Sequence, residues 1–344
     1  PPSMRAAMSR YISTACSPFR AEGKSASPGA MSAFMVPLAL LLERLFGYPR
    51  ALYRLIRHPV VWMGALIGWL DGTLNKGPGK FRGILALAVL LAATAAVTVA
   101  VTWALRSIPY GWVAEAILAT ALLAQRELAR AVGAVADALN HSLAAGRQQV
   151  AQIVGRDVAQ LDESGVSRAA VESLAESASD GVIAPLFFLL LGGLPGIALY
   201  KAVNTADSMI GHKTERYRDF GWASARLDDV LNWIPARLTA LLLCGAAFWV
   251  KGADAEKGWV AALRDARKHT SPNAGWPEAA LAGALGFALG GPRAYEGEVQ
   301  DLPQFGTGRA DLGPTDIRKS LQLYAMMLNL ALGITLAIAV LLYR

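Results

Sequence analysis

Cysteine and histidine are scarce in this chain, and their scarcity excludes several kinds of site. The two cysteines, Cys16 and Cys244, lie in a polar tail and an apolar run, so no disulfide framework or zinc cluster can be built from them. The four histidines have no metal-ligand spacing with one another or with cysteine. The sequence also has no serine nucleophile elbow, so covalent catalysis by an enzyme nucleophile is unsupported.

Charged residues are also few, and this points to a membrane. They make up 17% of the chain against 54% hydrophobic residues, a balance unlike that of soluble proteins. Residues 83–105 contain 23 residues without a charge, and residues 320–343 contain 24. At 1.5 Å per residue, each helix would exceed a hydrocarbon core of about 30 Å, so both are predicted to span the bilayer.

A third apolar run, residues 181–200, is interrupted by the sequence GGLPG at 192–196. A broken helix at membrane depth is tolerated only against protein or a water-filled cavity. We therefore expect this run to turn back as a hairpin, which would keep its two polar flanks on one side of the membrane. Strand patterns are scarce and no internal repeat is found. The predicted fold class is all-α, a polytopic integral membrane protein with a broken or re-entrant helix and amphipathic cytoplasmic helices.

Two further segments define the domain organisation. Residues 125–143 repeat apolar side chains at spacings of three and four, which predicts an amphipathic helix outside the hydrocarbon. A second helix is expected to begin after Ser167, a good capping residue, and to run to residue 181. Residues 1–31 are rich in Ser, Ala, Pro and Arg and predict a disordered extension, which leaves residues 32–344 as a single membrane-embedded domain.

The net charge of +7 is spread over many loops rather than concentrated in a patch. It matches the usual excess of Lys and Arg near the cytoplasmic face, so the expected partner is the lipid bilayer and not nucleic acid. The weakly charged loop at 106–112 is the best candidate for the far side. Segments 75–82 and 125–181 carry most of the nearby basic excess and are assigned to the cytoplasmic side.

Three acidic residues, Glu172, Glu176 and Asp180, recur every four residues and so share one face of a helix. Asp180 adjoins the apolar run, where an ionised carboxylate is costly and usually has a function or a partner. A divalent cation with oxygen ligands would suit this group, Mg²⁺ above all if phosphates are present. The alternative is a solvated face at the end of a helix.

Polar residues also follow the broken run. Lys201, Asn204 and Asp207 are spaced by three, so a lysine, an amide and a carboxylate could face one ligand. Taken alone, they would equally suit an ordinary polar helix face. Asp228 and Asp229 are adjacent and would point about 100° apart on a helix, so we expect one of them to enter a given site.

Cations and turn formers complete the set of candidates. Lys213 and Arg218 lie in a loop-like stretch that could clamp a phosphate or a carboxylate, or could simply form ion pairs with neighbouring acids. Ser271 and Asn273 lie in a turn-rich stretch and are either structural or ligand contacts. His58 precedes a proline beside an apolar run, and we interpret it as an interfacial or packing residue.

Several of these segments together resemble one known family. They are ESLAESASDG at 172–181, APL at 184–186, YKAVNTADSM at 200–209, YRDFGWA at 217–223, RLDDVLNWIPARL at 226–238, SPNAGWPE at 271–278, GGP at 290–292 and HPV at 58–60. This pattern closely resembles the adenosylcobinamide-phosphate synthases, the CobD/CbiB family of cobalamin biosynthesis. The likeness covers roughly residues 33–344 and is long and specific.

The resemblance implies a ligase in the bacterial inner membrane with its active site on the cytoplasmic face. Such a ligase would join adenosylcobyric acid, through a propionate carboxylate, to (R)-1-amino-2-propanol phosphate or a related aminoalkyl phosphate, with ATP consumed and Mg²⁺ as cofactor. Other enzymes of the cobalamin pathway would be possible partners. Two alternatives come from other classes: a non-catalytic sensor or signalling protein of a related inner-membrane family, and a corrinoid transporter.

On this resemblance the polar residues receive hypothetical roles. The catalytic group is Lys201, Asn204, Asp207, Arg226 and Asp228. The substrate-binding group is Lys213, Arg218, Asn232, Arg237, Ser271 and Asn273. The metal-binding group is Glu172, Glu176 and Asp180. Retention of these motifs favours an enzyme over a sensor, and the clustering of charges in connecting segments, without paired inverted halves, speaks against a transporter.

Overall fold

The computed structural model describes residues 32–48, 54, 57–155, 157–291, 293–295, 298–300 and 303–343. The extension predicted at residues 1–31 lies outside the described residues. Within them, helices dominate, as expected for an all-α protein. After a short 3₁₀ helix at Ser32–Phe34, the helices in chain order are α1 (Met35–Phe46), α2 (Pro59–Leu74), α3 (Lys80–Arg106), α4 (Gly111–Thr120), α5 (Gln125–His141), α6 (Leu143–Val150), α7 (Glu163–Ala178), α8 (Ala184–Ile210), α9 (Trp222–Leu231), α10 (Trp233–Ala247), α11 (Ala255–Asp265), α12 (Gly275–Leu285) and α13 (Pro314–Tyr343).

Short non-α elements join some of these helices. A π-helical turn, Ser179–Ile183, links α7 to α8, and a 3₁₀ turn, Ala266–Lys268, follows α11. The strands form two small antiparallel pairs between α12 and α13. β1 (Leu289–Gly290) pairs with β4 (Gln304–Phe305), and β2 (Arg293–Tyr295) pairs with β3 (Glu298–Gln300).

The two spans expected from the sequence are confirmed as long apolar helices. α3 has 27 residues and α13 has 30, which correspond to roughly 40 and 45 Å of helix. By length and composition alone, three described helical segments are able to cross a membrane, or four if the pair α9 and α10, bent by 42°, counts as one span. The third segment, Glu163–Ile210, is not straight.

The break predicted at 192–196 is confirmed, and it turns the chain back on itself. Gly193 has φ 60° and ψ −150°, a conformation that an L-residue rarely adopts. The rings of Phe188 and Tyr200 stack with their centroids 5.1 Å apart, whereas a straight helix would separate these residues by about 18 Å. A Cβ added to Gly196 would lie 2.3 Å from the carbonyl oxygen of Phe188, so only glycine permits this crossing. We call residues 163–210 the re-entrant hairpin and residues 194–210 its return limb.

The ends of α3 show how the hairpin is oriented. The turn at Gly193 lies near the guanidinium of Arg106, at the C-terminal end of α3. At the opposite end, a Cβ on Gly83 would clash with the carbonyl oxygen of Phe220, and Asp219 accepts a hydrogen bond from the amide of Gly79 at 3.1 Å. The loop at 211–221 that follows the return limb therefore lies at the end of α3 remote from the hairpin turn.

The predicted amphipathic helix is confirmed as α5, whose apolar face includes the fully buried Val132 and Val135 in the main core. The predicted start of the next helix is wrong. α7 begins at Glu163, because the side chain of Asp162 accepts a hydrogen bond from the amide of Gly165 at 2.7 Å and caps it. Ser167 lies inside the helix and is buried.

Candidate active site

The return limb and the α9–α10 bend share a set of polar side chains that hydrogen-bond across the helices. Lys201 Nζ donates to Asn204 Oδ1 at 3.0 Å on the return limb. The amide nitrogen of Asn204 lies 3.4 Å from Asp228 Oδ1 on α9, at the long end of a hydrogen bond. Three residues proposed from sequence as catalytic, Lys201, Asn204 and Asp228, are therefore brought together by the fold.

The same carboxylate continues the chain of contacts on its other side. Asn232 Nδ2 donates to Asp228 Oδ2 at 2.9 Å. The hydroxyl of Tyr200 lies 2.9 Å from Asn232 Oδ1 and 3.1 Å from the main-chain oxygen of Asp180. Asn232 and Tyr200 are each only 1% exposed, so these contacts are shielded from solvent. We call this set the polar network; its members are Asp180, Tyr200, Lys201, Asn204, Asp228 and Asn232.

Asp180 occupies an unusual position in the backbone. It lies in the π-helical turn Ser179–Ile183, where the amide of Ala184 bonds to the carbonyl of Ser179. Such turns are rare and often occur at functional sites. The Asp180 carboxylate interacts electrostatically with Glu176, Asp228 and Lys201, so the acids before the apolar run and the polar groups after it meet in one place.

The three residues predicted to bind metal are not equivalent in the structure. Glu176 and Asp180 interact with each other, and Asp207 also interacts with Glu176. The carboxylate of Glu172 is buried and accepts a hydrogen bond from the amide of Gly290 in β1 at 2.7 Å. Among the described residues, no three acidic, imidazole or thiol groups stand together as a ready metal cage.

This donor set still suits Mg²⁺. In proteins Mg²⁺ is usually held by one or two carboxylates together with water and substrate phosphates, rather than by a cage made of protein groups alone. The neighbouring carboxylates of Glu176 and Asp180 supply oxygen ligands of the required kind. The assignment of Glu172, Glu176 and Asp180 as metal ligands stays a prediction.

His58 lies near this site, although the sequence suggested a packing role for it. Its ring accepts a hydrogen bond from the amide of Val60 at 3.3 Å, which caps α2, and it packs edge-on against Tyr48. Burial lowers the pKa of the His58 imidazole, and the nearby positive charge of Lys201 lowers this pKa further. His58 therefore combines the predicted packing role with a position beside a member of the polar network.

Arg237 lies on α10, and several contacts hold its side chain in place. Its guanidinium lies between the rings of Trp233 and Trp276, with centroid distances of 4.7 and 4.8 Å. It also donates to Asn273 Oδ1 at 2.8 Å and to the carbonyl oxygen of Pro272 at 3.2 Å. These contacts fix the turn before α12 against the α9–α10 bend, so in this structure Arg237 positions a loop.

The two polar residues predicted in that turn are also bonded within the protein. Ser271 Oγ accepts from the amides of Asn273 and Ala274 at 3.2 and 3.3 Å, which stabilises the turn that precedes α12. Asn273 Nδ2 donates to the main-chain oxygen of Asp229 at 2.7 Å. The turn thus lies directly beside the polar network, while its side chains maintain the local backbone.

The remaining predicted cations lie at the surface. Arg226 is exposed and pairs with Asp229 at 3.6 Å, and Lys213 interacts electrostatically with the same carboxylate. Arg218 is exposed in the loop at 211–221. Lys213 and Arg226 therefore lie near Asp229, at the solvent-facing edge of the polar network.

Sequence reasoning missed Tyr200, whose hydroxyl joins two flanks of the network. The available signal was its place at the start of the YKAVNTADSM motif, but an aromatic residue at the end of an apolar run is also common at a membrane interface. His58 carried a similar signal in the HPV motif. The contact of Tyr200 with Asp180 and the position of His58 beside Lys201 both involve the re-entrant hairpin.

Fold and site define a polytopic helical membrane protein whose buried polar groups converge between a re-entrant hairpin and a bent helix pair. The sequence profile of the family described as CobD/Cbib protein matches residues 36–324. This chain belongs to the CobD/CbiB family, as its motifs indicated.

Curated relatives extend this match over nearly the whole length. The chain is 46% identical to the cobalamin biosynthesis protein CobD of Rhodobacter capsulatus over 313 residues, which cover 89% of this chain and 96% of the relative. It is also 46% identical to the protein of that name from Brucella suis, with 88% and 95% covered, and to that from Rhizobium meliloti, with 83% and 90% covered. No solved structure matches the chain.

Proposed function

We propose that this protein acts in cobalamin biosynthesis as an ATP-dependent acid–amine ligase. It would form the amide between a propionate carboxylate of adenosylcobyric acid and the amine of (R)-1-amino-2-propanol phosphate, or of a related aminoalkyl phosphate, to give adenosylcobinamide phosphate. The observation that carries the proposal is the convergence of Lys201, Asp180 and Asp228 in one shielded polar network. Membership of the family and the names of its relatives support the pathway.

A free carboxylate is a poor acceptor for an amine, so the acid must first be activated. In the proposed first step a carboxylate oxygen attacks the γ-phosphorus of ATP, which forms an acyl phosphate and releases ADP. In the second step the amine nitrogen attacks the acyl carbon, the amide bond forms and inorganic phosphate leaves. The amine loses one proton before attack and a second as the amide forms, and the carboxylates of the network are the proposed acceptors.

The protein would contribute mainly position and charge. Lys201, held by Asn204, offers a cation within the network, and Arg226 and Lys213 offer cations at its edge. These groups are proposed to hold the anionic phosphates and the substrate carboxylate. Glu176 and Asp180 would hold Mg²⁺, which when bound neutralises phosphate charge.

The proposed location is the bacterial inner membrane, with the active site on the cytoplasmic face. The loop at 211–221 lies at the N-terminal end of α3, beside Lys80, whose ammonium packs over the ring of Trp222 at 4.6 Å. Lys76 and Arg82 lie in the same region and are exposed. An excess of basic residues marks the cytoplasmic side of a membrane protein, which supports this orientation.

The test is a direct assay in membranes that contain the protein. They are incubated with adenosylcobyric acid, Mg-ATP and, in separate reactions, (R)-1-amino-2-propanol phosphate, ethanolamine phosphate or phosphothreonine. Mass analysis should show a corrinoid with one new amide bond, together with one ADP per amide. Membranes with the Asp228→Asn variant at the same protein level serve as the control.

Two results would contradict the ligase. One is the absence of an amide product with every amine although the wild-type protein is present and folded. The other is uptake of the corrinoid into sealed vesicles without amide formation, which would favour a transporter.

A further inference from the structure

A groove of about 600 Å³ lies between α1, α2, α3, α4 and the return limb of the hairpin, apart from the polar network. Trp62 of α2, Val97 of α3 and Ile117 of α4 form part of its walls, and Leu194 and Ala198 contribute from the return limb. Volumes of this size accommodate small-molecule ligands in proteins.

The walls of the groove offer almost no polar recognition. Among the described residues that line it, Thr94, Thr98 and Thr120 donate their hydroxyl hydrogens to main-chain oxygens of their own helices, at 2.8, 2.7 and 2.6 Å. The hydroxyl of Tyr48 donates to the main-chain oxygen of Arg57 at 2.9 Å. The rest of the lining is almost entirely hydrocarbon, so the surface suits an apolar occupant without hydrogen-bonding groups.

The groove lies at membrane depth and opens towards lipid. Its α3 wall runs from Leu90 to Val101, in the middle of the apolar segment that spans the bilayer. Val97 on this wall is 63% exposed, and Trp62 and Ile117 are more than half exposed. The groove is thus continuous with the lipid-facing surface of α3.

Physical constraints select the occupant. Water does not fill an apolar cavity, and an empty one forfeits the dispersion contacts of its lining. A polypeptide segment would have to satisfy its own backbone polar groups there. A hydrocarbon chain has no such groups and is the most abundant apolar material beside α3. We propose that the groove binds one acyl chain of a bilayer phospholipid.

This site would bear on the hairpin itself. Leu194 follows the turn directly and Ala198 comes two residues before Tyr200, so the acyl chain packs against the limb that carries the polar network. The inference concerns lipid binding alone and holds whatever reaction the protein catalyses.

The first experiment measures lipid retention by native mass spectrometry after purification in mild detergent. Ala93 lines the groove, and Ala93→Phe places a ring in it. Ala96, three residues further along the same helix, is exposed outside the groove, so Ala96→Phe is the matched control. The wild type and Ala96→Phe should retain one phospholipid, and Ala93→Phe should retain at least fivefold less. Equal retention by all three proteins would overturn the proposal. It would also be overturned if the wild type carried no lipid but formed a dimer that Ala93→Phe abolished, because a second copy would then fill the groove.

A second measurement leaves the groove unblocked. Phospholipid with brominated acyl chains is titrated into the detergent-solubilised wild type, and tryptophan fluorescence is recorded beside that of Trp62→Phe, which lacks the fluorophore in the groove. The difference between the two proteins should show quenching that saturates at a low mole fraction of lipid. Quenching that rises only in proportion to the lipid content of the micelle would indicate no site and would refute the proposal.

Discussion

The hydroxyl of Tyr200 lies 3.1 Å from the main-chain oxygen of Asp180, although the two residues are 20 positions apart. A straight helix would place them about 30 Å apart. This contact is possible because the chain reverses direction at Gly193. The same hydroxyl lies close to Asn232 and so links Asp180 to the α9–α10 side of the polar network.

Tyr200→Phe should lower the stability of the folded protein and leave the packing of the hairpin intact. The ring can still stack on Phe188, but Asn232 loses its hydroxyl partner in a buried place. A buried acceptor left unsatisfied costs about 1–3 kcal/mol. We expect a lower thermal midpoint in detergent and a reduced rate of amide formation.

The matched control is Tyr324→Phe. Tyr324 is also buried, and its hydroxyl donates to the main-chain oxygen of Gln125 at 3.1 Å, outside the network. It should lower the thermal midpoint by a similar amount and leave the turnover of the folded protein unchanged. If both variants lose turnover equally, Tyr200 has only a structural role.

Gly193→Ala should destabilise the hairpin, because at φ 60° and ψ −150° a Cβ is strained. Such strain costs roughly 1–3 kcal/mol. Gly192→Ala is the control, since a Cβ there meets no atom within 4 Å and its φ is not positive. We expect Gly193→Ala to lower the thermal midpoint and Gly192→Ala to leave it unchanged or slightly raised. Equal midpoints would mean that the turn tolerates a side chain.

The sequence predicts the hairpin because glycine and proline interrupt an apolar run in a way that few membrane structures tolerate. It also predicts the spans α3 and α13, because such long and uniformly apolar helices are stable only within a membrane. The start of α7 was predicted wrongly, because Ser167 and Asp162 are both good caps and only the burial of Ser167 distinguishes them.

The site was less predictable than the fold. Periodicity brings Glu172 onto the same helical face as Glu176, but it gives no sign of the β1 amide that Glu172 bonds. Arg237 looked like an anion-binding residue, and its stacking between two tryptophans depends on a turn 35 residues further along the chain. Contacts of this kind follow from tertiary packing and leave no local pattern in the sequence.

Asp265 gives the protein a stability that depends on pH. Burial alone would raise the pKa of this carboxyl, but hydrogen bonds from Arg264, Lys268 and the amide of Gly306 outweigh it and bring the pKa below its usual value of 3.8. Because the folded state favours the ionised form, the Asp265 carboxylate stabilises the fold fully at any pH above the pKa that it has in the unfolded chain. This stabilisation is lost as the pH falls through the pKa that Asp265 has in the folded protein. Asp265→Asn should therefore lower the thermal midpoint at pH 7.

The measurement compares the thermal midpoints of the wild type and Asp265→Asn from pH 7 down to about pH 3. Their difference should stay constant to about pH 5 and then shrink. Asp137→Asn removes a carboxylate that is exposed in its ion pair with Arg318, so its midpoint should follow that of the wild type throughout. A difference that does not change with pH would show that Asp265 acts through packing.

Asp180→Asn should raise the Mg²⁺ concentration needed for half-maximal amide formation. The substitution keeps the size of the side chain in the π-helical turn but replaces a carboxylate oxygen beside Glu176 with an amide nitrogen. We expect a shift of about tenfold or more, comparable to losses seen when metal-site groups are changed. Asp137→Asn is again the control. An unchanged Mg²⁺ requirement with normal turnover would remove Asp180 from the metal site.

Asp228→Asn tests the centre of the network, because Asp228 accepts hydrogen bonds from two amide side chains. Lys201 can only donate, so Asn204 turns its oxygen towards Lys201 and its NH₂ group towards Asp228. Asn232 also donates from its NH₂ group to Asp228. An asparagine at 228 would place its own NH₂ group against one of these donors. The charge would be lost and one buried donor left unpaired, at a cost of about 1–3 kcal/mol.

We expect Asp228→Asn to reduce amide formation by about 100-fold or more, in line with the loss of a preorganised electrostatic group. Asp229→Asn changes the adjacent carboxylate, whose side-chain ion pair is with the exposed Arg226, and such surface pairs contribute about 0–1 kcal/mol. Turnover and thermal midpoint measured for both variants separate the two positions. A larger loss of turnover in Asp229→Asn would mean that the reaction takes place at the exposed edge near Lys213, where the cations lie, and not in the buried network.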